Sequence, residues 1–380
     1  MMPSESPIRR RKDVSEKLKD QLKLLQYCGW PNEIYRKYQN EINENDPHTE
    51  IYKTEKGKVR IYHAFKEVLI SYYTGIAINA IRAIRKRVPE ISEKTCFVDA
   101  TAGIGIIPLL MEDKVIPIFG SAVIPFIAPT LGERYFGRKE LKPFKMVFLM
   151  EKDRQRRNIL RKIIDEVSER LRNINMPVPH IEFYDDFNSY INRILMKYRN
   201  ECNYWLVVID PTGAEIEWNA METLLNAREK YKREKYKVIV DVMFNFMCGS
   251  LRRQKGEACS KKHIFDEFFG DEGWRKCCNE EEFGECLHNY YVDKVKSLNY
   301  EVYGSSIWKM GNPWHYHFDL IVYKRKEKEK PHPWVQPYNT VSKYIDKLGE
   351  EGLYQMLRHQ LLTNKDNDKD KSLPGCPAKK

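Results

Sequence analysis

The most informative segment of this sequence is VDATAGIG, at residues 98–105. It follows an apolar run typical of a buried strand, and we expect it to open a helix. Glycines permit a tight turn and the close approach of a ligand, while a helix N-terminus offers backbone N–H groups. A NAD-binding turn would need a third glycine and an acid about 20 residues further on, but position 108 is proline. The acid at Asp99 better suits the amine of a cofactor that carries an amino acid. The alternative is a tight turn that binds nothing.

Downstream, short apolar runs alternate with helical patterns. Together with the run before the glycines they predict five buried strands, at residues 95–100, 145–150, 180–184, 204–210 and 237–243. Helices are predicted at residues 153–171, 188–199 and 216–233, and this alternation is typical of parallel βαβ units. Two more strands, 301–310 and 316–324, are predicted to form an antiparallel hairpin through a turn at 311–313. Seven such strands are the strand count of a class I methyltransferase. We therefore expect an α/β, Rossmann-like fold with a mostly parallel sheet and an antiparallel closing hairpin.

The same pattern divides the chain into four parts. Residues 1–62 are expected to form a helical N-terminal extension, with Leu18, Leu22 and Leu25 on one helical face. Residues 63–324 are predicted to form the methyltransferase-like domain, which opens with a helix at 63–88. Residues 325–362 are interpreted as a linker followed by a helix at 340–360. Residues 363–380, rich in Asp, Lys and Asn, are expected to be a disordered tail.

The chain is basic. Its 65 Lys and Arg against 54 Asp and Glu give a formal net charge of +11 over 380 residues. Such an excess favours polyanionic partners such as RNA or DNA, although a solvated basic surface has the same composition. No apolar run is long enough to span a bilayer, and the N-terminus lacks the apolar core of a secretory signal. We therefore expect a cytoplasmic protein without a membrane partner.

Nine cysteines are present, an odd number at irregular spacing. Without a secretory signal, reduced thiols are expected. Six residues of metal-binding type crowd one region: Cys259, His263, Cys277, Cys278, Cys286 and His288. Zinc sites usually show ligand pairs at a short fixed spacing, and no CxxC pair occurs here. We expect no metal site, with a structural zinc in this cluster as the weaker alternative.

Acids follow the second and third predicted strands of the sheet. Glu151 ends the second strand, where a carboxylate can accept both hydroxyls of a ribose. Asp153 could cap the helix that follows, and both roles are compatible. After the third strand, Asp185 or Asp186 could bind an adenine amino group with Phe187 against the ring. A plain loop is an equally good interpretation of that segment.

The fourth strand ends in the sequence DPTG, at residues 210–213. The carboxyl edge of a parallel sheet is where ligands bind in this architecture. The carboxylate of Asp210 and the carbonyl of Pro211 could together hold the two hydrogens of an exocyclic amine and orient its lone pair at a methyl group. The alternative is a strand-ending turn, because Asp-Pro-x-Gly is good turn chemistry. The functional interpretation is preferred.

Taken together, these motifs resemble those of the three-Cys-motif partner proteins, a methyltransferase-like family. The resemblance runs from about His63 to Tyr323, with a fainter match at 352–356. The matching positions are His63 and Lys66, Asp99 with Ala102-Gly103-Ile104-Gly105, Gly120-Ser121, Glu151-Lys152-Asp153, Asp210 to Gly213, Asn245-Phe246 with Arg252 or Arg253, and Phe269-Gly270 with Trp274. The sequence departs from the family at Thr101, usually an aromatic residue, and at Thr212, commonly phenylalanine. The DPTG sequence is also similar to the motif of tRNA guanine-N2 methyltransferases.

The motifs and the resemblance together imply an S-adenosylmethionine-dependent methyltransferase that acts on an exocyclic amine of RNA or DNA. The expected cofactor-binding residues are Asp99, Thr101, Ala102, Gly103, Gly105, Glu151, Lys152, Asp185, Asp186 and Phe187. The expected catalytic residues are Asp210, Pro211, Thr212 and Gly213, and the expected substrate-binding residues are His63, Lys66, Asn245, Arg252 and Arg253. The rival interpretation is a non-catalytic subunit of methyltransferase shape that binds nucleic acid or a protein partner. Methylation of a protein side chain is a third alternative.

Overall fold

A seven-stranded sheet forms the centre of the molecule. The computed structural model describes residues 13–45, 61–85, 94–111, 114–136, 144–233, 238–260, 264–306, 316–324 and 334–362. The strands in these ranges are β1 (Thr95–Asp99), β2 (Ile106–Met111), β3 (Lys114–Phe119), β4 (Met146–Met150), β5 (His180–Tyr184), β6 (Tyr204–Ile209), β7 (Ile239–Phe246), β8 (Tyr300–Ser306) and β9 (His317–Tyr323). The order across the main sheet is β5-β4-β1-β6-β7-β9-β8.

The direction of the strands gives the sheet its class. Strands β5, β4, β1, β6 and β7 are parallel neighbours. Strand β9 runs antiparallel to both β7 and β8. From β1 the chain crosses first to β4 and β5 on one side and then to β6 and β7 on the other. The predicted Rossmann-like α/β fold with an antiparallel closing hairpin is therefore confirmed, and the crevice where the strand order reverses lies beside β1.

Helices cover both faces of the sheet. In chain order they are α1 (Val14–Leu25), α2 (Trp30–Asn45), α3 (Ile61–Arg85), α4 (Ile124–Phe136), α5 (Arg154–Asn173), α6 (Phe187–Tyr198), α7 (Trp218–Arg233), α8 (Cys248–Arg253), α9 (Lys255–Ser260), α10 (Ile264–Phe269), α11 (Phe283–Ser297) and α12 (Val335–Leu362). Among these described helices, none is both long and apolar enough to cross a bilayer.

Alternation along the strands separates two apolar layers. In β1, the side chain of Phe97 joins the cluster formed with α1, α3, α4, α5 and α12, whereas Cys96 and Val98 join the cluster formed with α6, α7, α8, α10 and α11. Neighbouring residues of a strand point to opposite faces of the sheet. A parallel sheet that is covered on both faces must be apolar on both, and β1, β4 and β6 are buried along their whole length.

The segment after the glycines differs from the prediction. Instead of a helix, residues 106–119 form the antiparallel hairpin β2–β3, with Ile106 opposite Phe119. At its end the hairpin returns the chain to the glycine turn, where the backbone N–H of Gly120 donates to the carbonyl of Gly105 at 3.0 Å. A 3₁₀ turn at Ser121–Val123 leads from there into α4. The 3₁₀ turn and α4 therefore begin beside the glycine turn, although the β2–β3 hairpin separates them from it in the sequence.

The two ends of the described chain pack against the core of the domain. Leu18, Leu22 and Leu25 are fully buried, which confirms the predicted apolar face of α1. Helix α12 begins at Val335, so the prediction of a linker up to residue 340 is wrong at its end. Pro337 lies in the first turn of α12, where no backbone N–H is needed and proline does not interrupt a helix. The predicted turn at 311–313 and the tail at 363–380 lie outside the described residues.

The prediction of reduced thiols is wrong for seven described cysteines, which are Cys28 and the members of three described pairs. Disulfides join Cys96 to Cys202, Cys259 to Cys278 and Cys277 to Cys286, with Cα–Cα distances of 5.7, 6.0 and 5.5 Å. Sequence spacing could not show these pairs, since the first links positions 106 residues apart. Four of the crowded thiols are thereby removed as metal ligands, and His263 lies outside the described residues. Cys248 is the free and buried cysteine of the described chain.

Candidate functional site

A cavity of about 630 Å³ opens at the carboxyl ends of the parallel strands. This volume is typical of a site for a small molecule or cofactor. Most of the predicted site residues line it: His63, Lys66, Thr101, Ala102, Gly103, Gly105, Glu151, Lys152, Asp185, Asp186, Phe187, Asp210, Pro211, Thr212, Asn245 and Arg253. Asp99, Gly213 and Arg252 are not part of its lining.

The glycine turn forms one wall of the cavity. Gly103 and Gly105 both have positive φ, at 57° and 80°, a conformation that side chains rarely adopt. A Cβ on Gly103 would meet open space, whereas a Cβ on Gly105 would lie 3.0 Å from Cδ1 of Leu160. The backbone N–H of Ala102 donates to the carbonyl of Met150 at 2.8 Å. The turn is thus fixed to the end of β4 on one side and open to the cavity at Gly103.

Asp99 lies beneath this turn, fully buried and away from the cavity wall. Its Oδ1 accepts the backbone N–H of Thr101 at 3.1 Å, which holds the turn in shape. Burial raises the pKa of Asp99 to about 7, against the lowering effect of hydrogen bonds from Ser121 and Thr101. In this structure the residue supports the loop from below instead of facing a ligand amine as predicted.

Glu151 directly follows β4 and lines the cavity. Its Oε1 accepts the backbone N–H of Asp153 at 2.9 Å, which orients the carboxylate. Asp153 caps α5 by accepting the N–H of Arg156 at 2.8 Å, as the second sequence interpretation predicted. Arg157 donates to the backbone carbonyl of Glu151 at 2.6 Å. The carboxylate is therefore buried, held in place and directed at the cavity, an arrangement suited to accepting hydroxyl groups.

The residues after β5 divide between structural and cavity roles. Asp186 caps α6, accepting the backbone N–H of Ser189 at 3.0 Å. Asp185 is largely exposed and pairs with Arg157 at 3.1 Å. Phe187 is buried at the start of α6 and still contributes to the cavity lining. Phe187 therefore contributes an apolar side chain to the cavity lining, together with the largely exposed Asp185.

Asp210 is held at the centre of the site by three different elements. From α3, Nζ of Lys66 forms an ion pair with its Oδ2. From the end of β7, Nδ2 of Asn245 donates to its Oδ1 at 2.7 Å. Its backbone N–H donates to Oγ1 of Thr101 at 2.8 Å, which ties the Asp210 loop to the glycine turn. Sequence reasoning identified these residues but not these contacts: it predicted Thr101 as a cofactor-binding residue, not as a partner of Asp210.

Lys66 is a buried cation among three carboxylates. Burial lowers its pKa, but the charges of Asp210, Glu67 and Asp99 outweigh that effect, so the pKa of Lys66 is raised and it stays charged at neutral pH. Burial raises the pKa of Glu67 well above its usual range. Nδ1 of His63 lies 3.5 Å from Nζ of Lys66. Sequence reasoning missed Glu67, although a glutamate in an otherwise apolar stretch of α3 is a signal for it.

The rest of the DPTG loop is an ordered turn. The backbone N–H of Thr212 donates to Oε2 of Glu215 at 2.9 Å, and its hydroxyl also bonds to that carboxylate. Oγ of Ser250, in α8, donates to the carbonyl of Thr212 at 2.9 Å. Gly213 faces Ser250 and Gln254 instead of the cavity. The loop thus combines both sequence interpretations: Asp210 faces the cavity, while Thr212 and Gly213 build the turn.

Comparison with known proteins adds little to this geometry. No family model matches the chain, and no curated protein matches it. Among solved structures, the chain is similar to a Pyrococcus horikoshii protein provisionally described as a transferase. The two share 15% sequence identity and a TM-score of 0.24, over 64% of this chain and 63% of that chain. A similarity this slight carries no argument about activity, so the function is inferred from the site itself.

Proposed function

We propose that this protein is an S-adenosylmethionine-dependent methyltransferase whose substrate is an exocyclic amine of RNA or DNA. One observation carries the proposal: the glycine turn after β1, the buried acid Glu151 after β4 and the carboxylate of Asp210 after β6 line the same cavity. That cavity lies at the edge of a sheet with the class I strand order, where such sheets bind nucleotides. Three independent strand ends meet there, each with the group that the chemistry requires.

The residues present fit the cofactor. The open space over Gly103, which a Cβ would fill, leaves room for its amino-acid portion. Glu151 would accept the ribose hydroxyls, and Phe187 would pack against the adenine. When bound, the cofactor would supply an electrophilic methyl carbon on a sulfonium, to which an in-line amine can bond as the S–CH3 bond breaks, the neutral thioether leaves and the surplus amine proton passes to water. The protein's task is then to position that nucleophile and exclude water, with little acid–base chemistry.

Asp210 would orient the nucleophile. Its carboxylate offers about four acceptor positions, and Lys66 and Asn245 use one on each oxygen. An amine N–H can be accepted at a remaining position, with the carbonyl of Pro211 accepting the second. The positive charge that develops on the amine is stabilised by the carboxylate. Lys66 and Asn245 keep the side chain from rotating away, so they act as positioning residues.

The charge of the chain supports a nucleic-acid substrate. The net charge is +11, and the lining includes the cations Lys152, Arg156 and Arg253. A base inside a duplex would have to be flipped out or presented on a single strand to reach Asp210. The resemblance of the DPTG sequence to the motif of tRNA guanine-N2 methyltransferases supports the same class of substrate.

The test is methyl transfer from labelled S-adenosylmethionine to total RNA and DNA, with wild type, Asp210→Asn and a control. Asp210→Asn keeps the volume but removes the charged acceptor, so transfer should slow by about 100-fold or more. The control is Asp13→Asn, since asparagine also caps helices well and Asp13 caps α1, outside the cavity lining. An Asp210→Asn protein that is destabilised but transfers methyl groups at the wild-type rate would show that Asp210 is only a turn residue.

One observation favours a second candidate, a non-catalytic subunit of methyltransferase shape. Both oxygens of Asp210 already have partners within the protein, Lys66 and Asn245. If that ion pair exists to hold the fold, no amine is oriented and no methyl group is transferred. The second candidate predicts that the wild type binds nucleic acid or a protein without transferring methyl groups. It also predicts that Asp210→Asn retains this binding.

A further inference from the structure

Two histidines and two carboxylates meet between α11 and β9, outside the cavity described above. Glu285 and His288 lie three positions apart on α11, which places them on the same face of the helix. His317 and Asp319 lie two positions apart on β9, which places them on the same face of the sheet. Neither pair lines the cavity. The helix and the strand therefore present one histidine and one carboxylate each, toward each other.

The four side chains are close and mostly buried. Nε2 of His317 lies 3.0 Å from Oε2 of Glu285, and Nε2 of His288 lies 2.7 Å from Oδ2 of Asp319. The two imidazoles are stacked, with centroids 3.7 Å apart and planes within 7°. The side chain of Asp319 is 2% exposed and that of His288 10%, whereas that of Glu285 is 32% exposed. The cluster is thus shielded by protein on the Asp319 side and reachable from solvent on the Glu285 side.

We propose that this cluster binds a divalent transition metal of the zinc type, with Glu285, His288 and His317 as ligands. One ligand atom from each of the three lies within 4.8 Å of the others. Zinc takes histidine nitrogen and carboxylate oxygen at about 2.0–2.2 Å, so ligand atoms of a tetrahedral site lie roughly 3.3–3.5 Å apart. Because an imidazole binds a metal in its own ring plane, the two rings must turn out of their parallel stack to share one ion, and this rotation also closes the remaining gap. Imidazole donors select zinc and related metals over magnesium and calcium, which prefer oxygen.

Asp319 supplies the outer contact that such sites require. A metal-binding histidine almost always hydrogen-bonds through its other ring nitrogen to a carboxylate or carbonyl, which fixes the tautomer and the ring. Asp319 is the most buried of the four residues, and Oδ2 is within hydrogen-bond distance of His288. With Nε2 of His288 bonded to Asp319, Nδ1 is the ring nitrogen that would bind the metal.

The rival explanation is two hydrogen bonds in which each imidazole donates an N–H to a carboxylate without a metal. Protonated rings would place two like charges on imidazoles stacked 3.7 Å apart, and neutral rings would leave the two carboxylate charges unbalanced within the four residues. A metal needs both rings neutral, and its two positive charges balance the two carboxylates. Among the neighbouring thiols, Cys277 and Cys286 form a disulfide, and the free thiol of Cys248 donates to the carbonyl of Gly284 at 3.3 Å. The proposed site is therefore one of nitrogen and oxygen donors, unlike the cysteine cluster considered from the sequence.

A metal bound by these residues would link α11 to β9, the strand that pairs with β7. His317 is paired in register with Phe246 of β7. The residue before Phe246 is Asn245, which holds Asp210. Metal binding would therefore stiffen the pair of strands β7 and β9, which positions the carboxylate of Asp210 through Asn245. The metal site does not depend on the proposed function, since none of its residues lines the cavity.

The experiment is zinc binding to the chelator-treated full-length protein at pH 7, without reductant, measured by metal analysis after gel filtration. Wild type should hold about one zinc per chain. Asp319→Asn should bind about 10- to 100-fold more weakly, the usual cost of losing an outer carboxylate. Glu285→Gln and His317→Ala remove direct ligands and should bind at least as weakly as Asp319→Asn. The control His180→Ala changes an exposed histidine on β5, outside the cluster, and should bind zinc as wild type does.

Thermal unfolding gives a second readout that does not depend on activity. Zinc at 100 times its dissociation constant should stabilise wild type by about 2.7 kcal/mol, and should leave the melting temperature of Glu285→Gln unchanged. Glu285→Gln is the safest variant for this purpose because its side chain is partly exposed. Wild type without stoichiometric zinc, or zinc binding that is equal in wild type, Glu285→Gln and His317→Ala, would overturn the proposal. Zinc retained in Cys248→Ser would show that the free thiol is not the ligand, as the proposal requires.

Discussion

Lys66 is the buried cation at the centre of the site, and replacing it should destabilise the protein strongly. Lys66→Met keeps the length and apolar stem of the side chain but removes its charge. In this variant Asp210, Glu67 and Asp99 lie close together without the cation that offsets their charges in the wild type. Breaking a buried ion pair costs about 3–5 kcal/mol. Because the Asp210 side chain is 19% exposed to the cavity, the expected loss is at the lower end, about 3 kcal/mol, or roughly 100-fold in the ratio of folded to unfolded protein.

Urea unfolding followed by tryptophan fluorescence measures this loss, and the double variant identifies its cause. Lys66→Met combined with Asp210→Asn removes both charges, so the double variant should be more stable than Lys66→Met alone. The control is Lys162→Met, which breaks an exposed pair with Glu41 at 2.7 Å and should cost less than about 1 kcal/mol. A double variant as unstable as Lys66→Met, or a Lys66→Met protein within about 0.5 kcal/mol of wild type, would refute the role given to Lys66.

The pH dependence of the same variant has a definite sign. Burial raises the pKa of Glu67 and of Asp99, and without Lys66 both groups lose a positive charge that lowers their pKa. A carboxyl whose folded-state pKa is raised stabilises the protein when it is protonated, and loses that contribution as pH rises through the folded-state value. The deficit of Lys66→Met should therefore shrink as the pH is lowered from 7 to 5. An increase in the deficit over that range would contradict the assignment of buried acids around Lys66.

Three other results are expected. Binding of single-stranded RNA or DNA should weaken steeply and linearly on a log–log plot between about 50 and 200 mM salt; a flat response would leave the +11 charge as surface only. Gly105→Ala should lower the free energy of unfolding by more than Gly103→Ala in urea titrations, because both have positive φ but only a Cβ at 105 is crowded by Leu160; equal losses would contradict this. The free energy of unfolding of wild type relative to Asp99→Asn should fall as pH rises from about 4 to 7, since burial raises the pKa of Asp99 to about 7; a difference constant with pH would show that Asp99 is not desolvated.

Much of the sheet could be predicted because each central strand is a continuous apolar run. Residues 204–209 are buried on both faces and read as a strand without any knowledge of their neighbours. The hairpin β2–β3 could not be predicted in the same way, because Pro108 and Pro117 argue against strands. The two prolines lie opposite each other in a two-stranded ribbon, which has two free edges and tolerates residues without a backbone N–H. The helix predicted there was wrong for that reason.

The positions of the site residues could be predicted, but not their partners. Glu151 and Asp210 follow strands, and the ends of parallel strands meet at one edge of the sheet. The ion pair of Lys66 with Asp210 joins residues 144 positions apart, and no local pattern indicates it. The same holds for the cluster of α11 and β9, whose histidines are 29 positions apart in the sequence. The spacing of cysteines in that region does not indicate the cluster, and neither α11 nor β9 carries a zinc motif alone. The resemblance to three-Cys-motif partner proteins stays a prediction.

Calorimetric titration with S-adenosylmethionine or its demethylated product tests the central claim most directly. Wild type should bind one molecule per chain. Glu151→Gln keeps the shape of the side chain but loses the charged acceptor, and should bind about 10- to 100-fold more weakly, since hydrogen bonds to charged groups contribute about 1.5–3 kcal/mol. Glu182→Gln, on the neighbouring strand β5 and outside the cavity lining, should bind as wild type does. The absence of both heat and a thermal shift for wild type at millimolar ligand would contradict the account, because a ligand at 100 times its dissociation constant stabilises by about 2.7 kcal/mol.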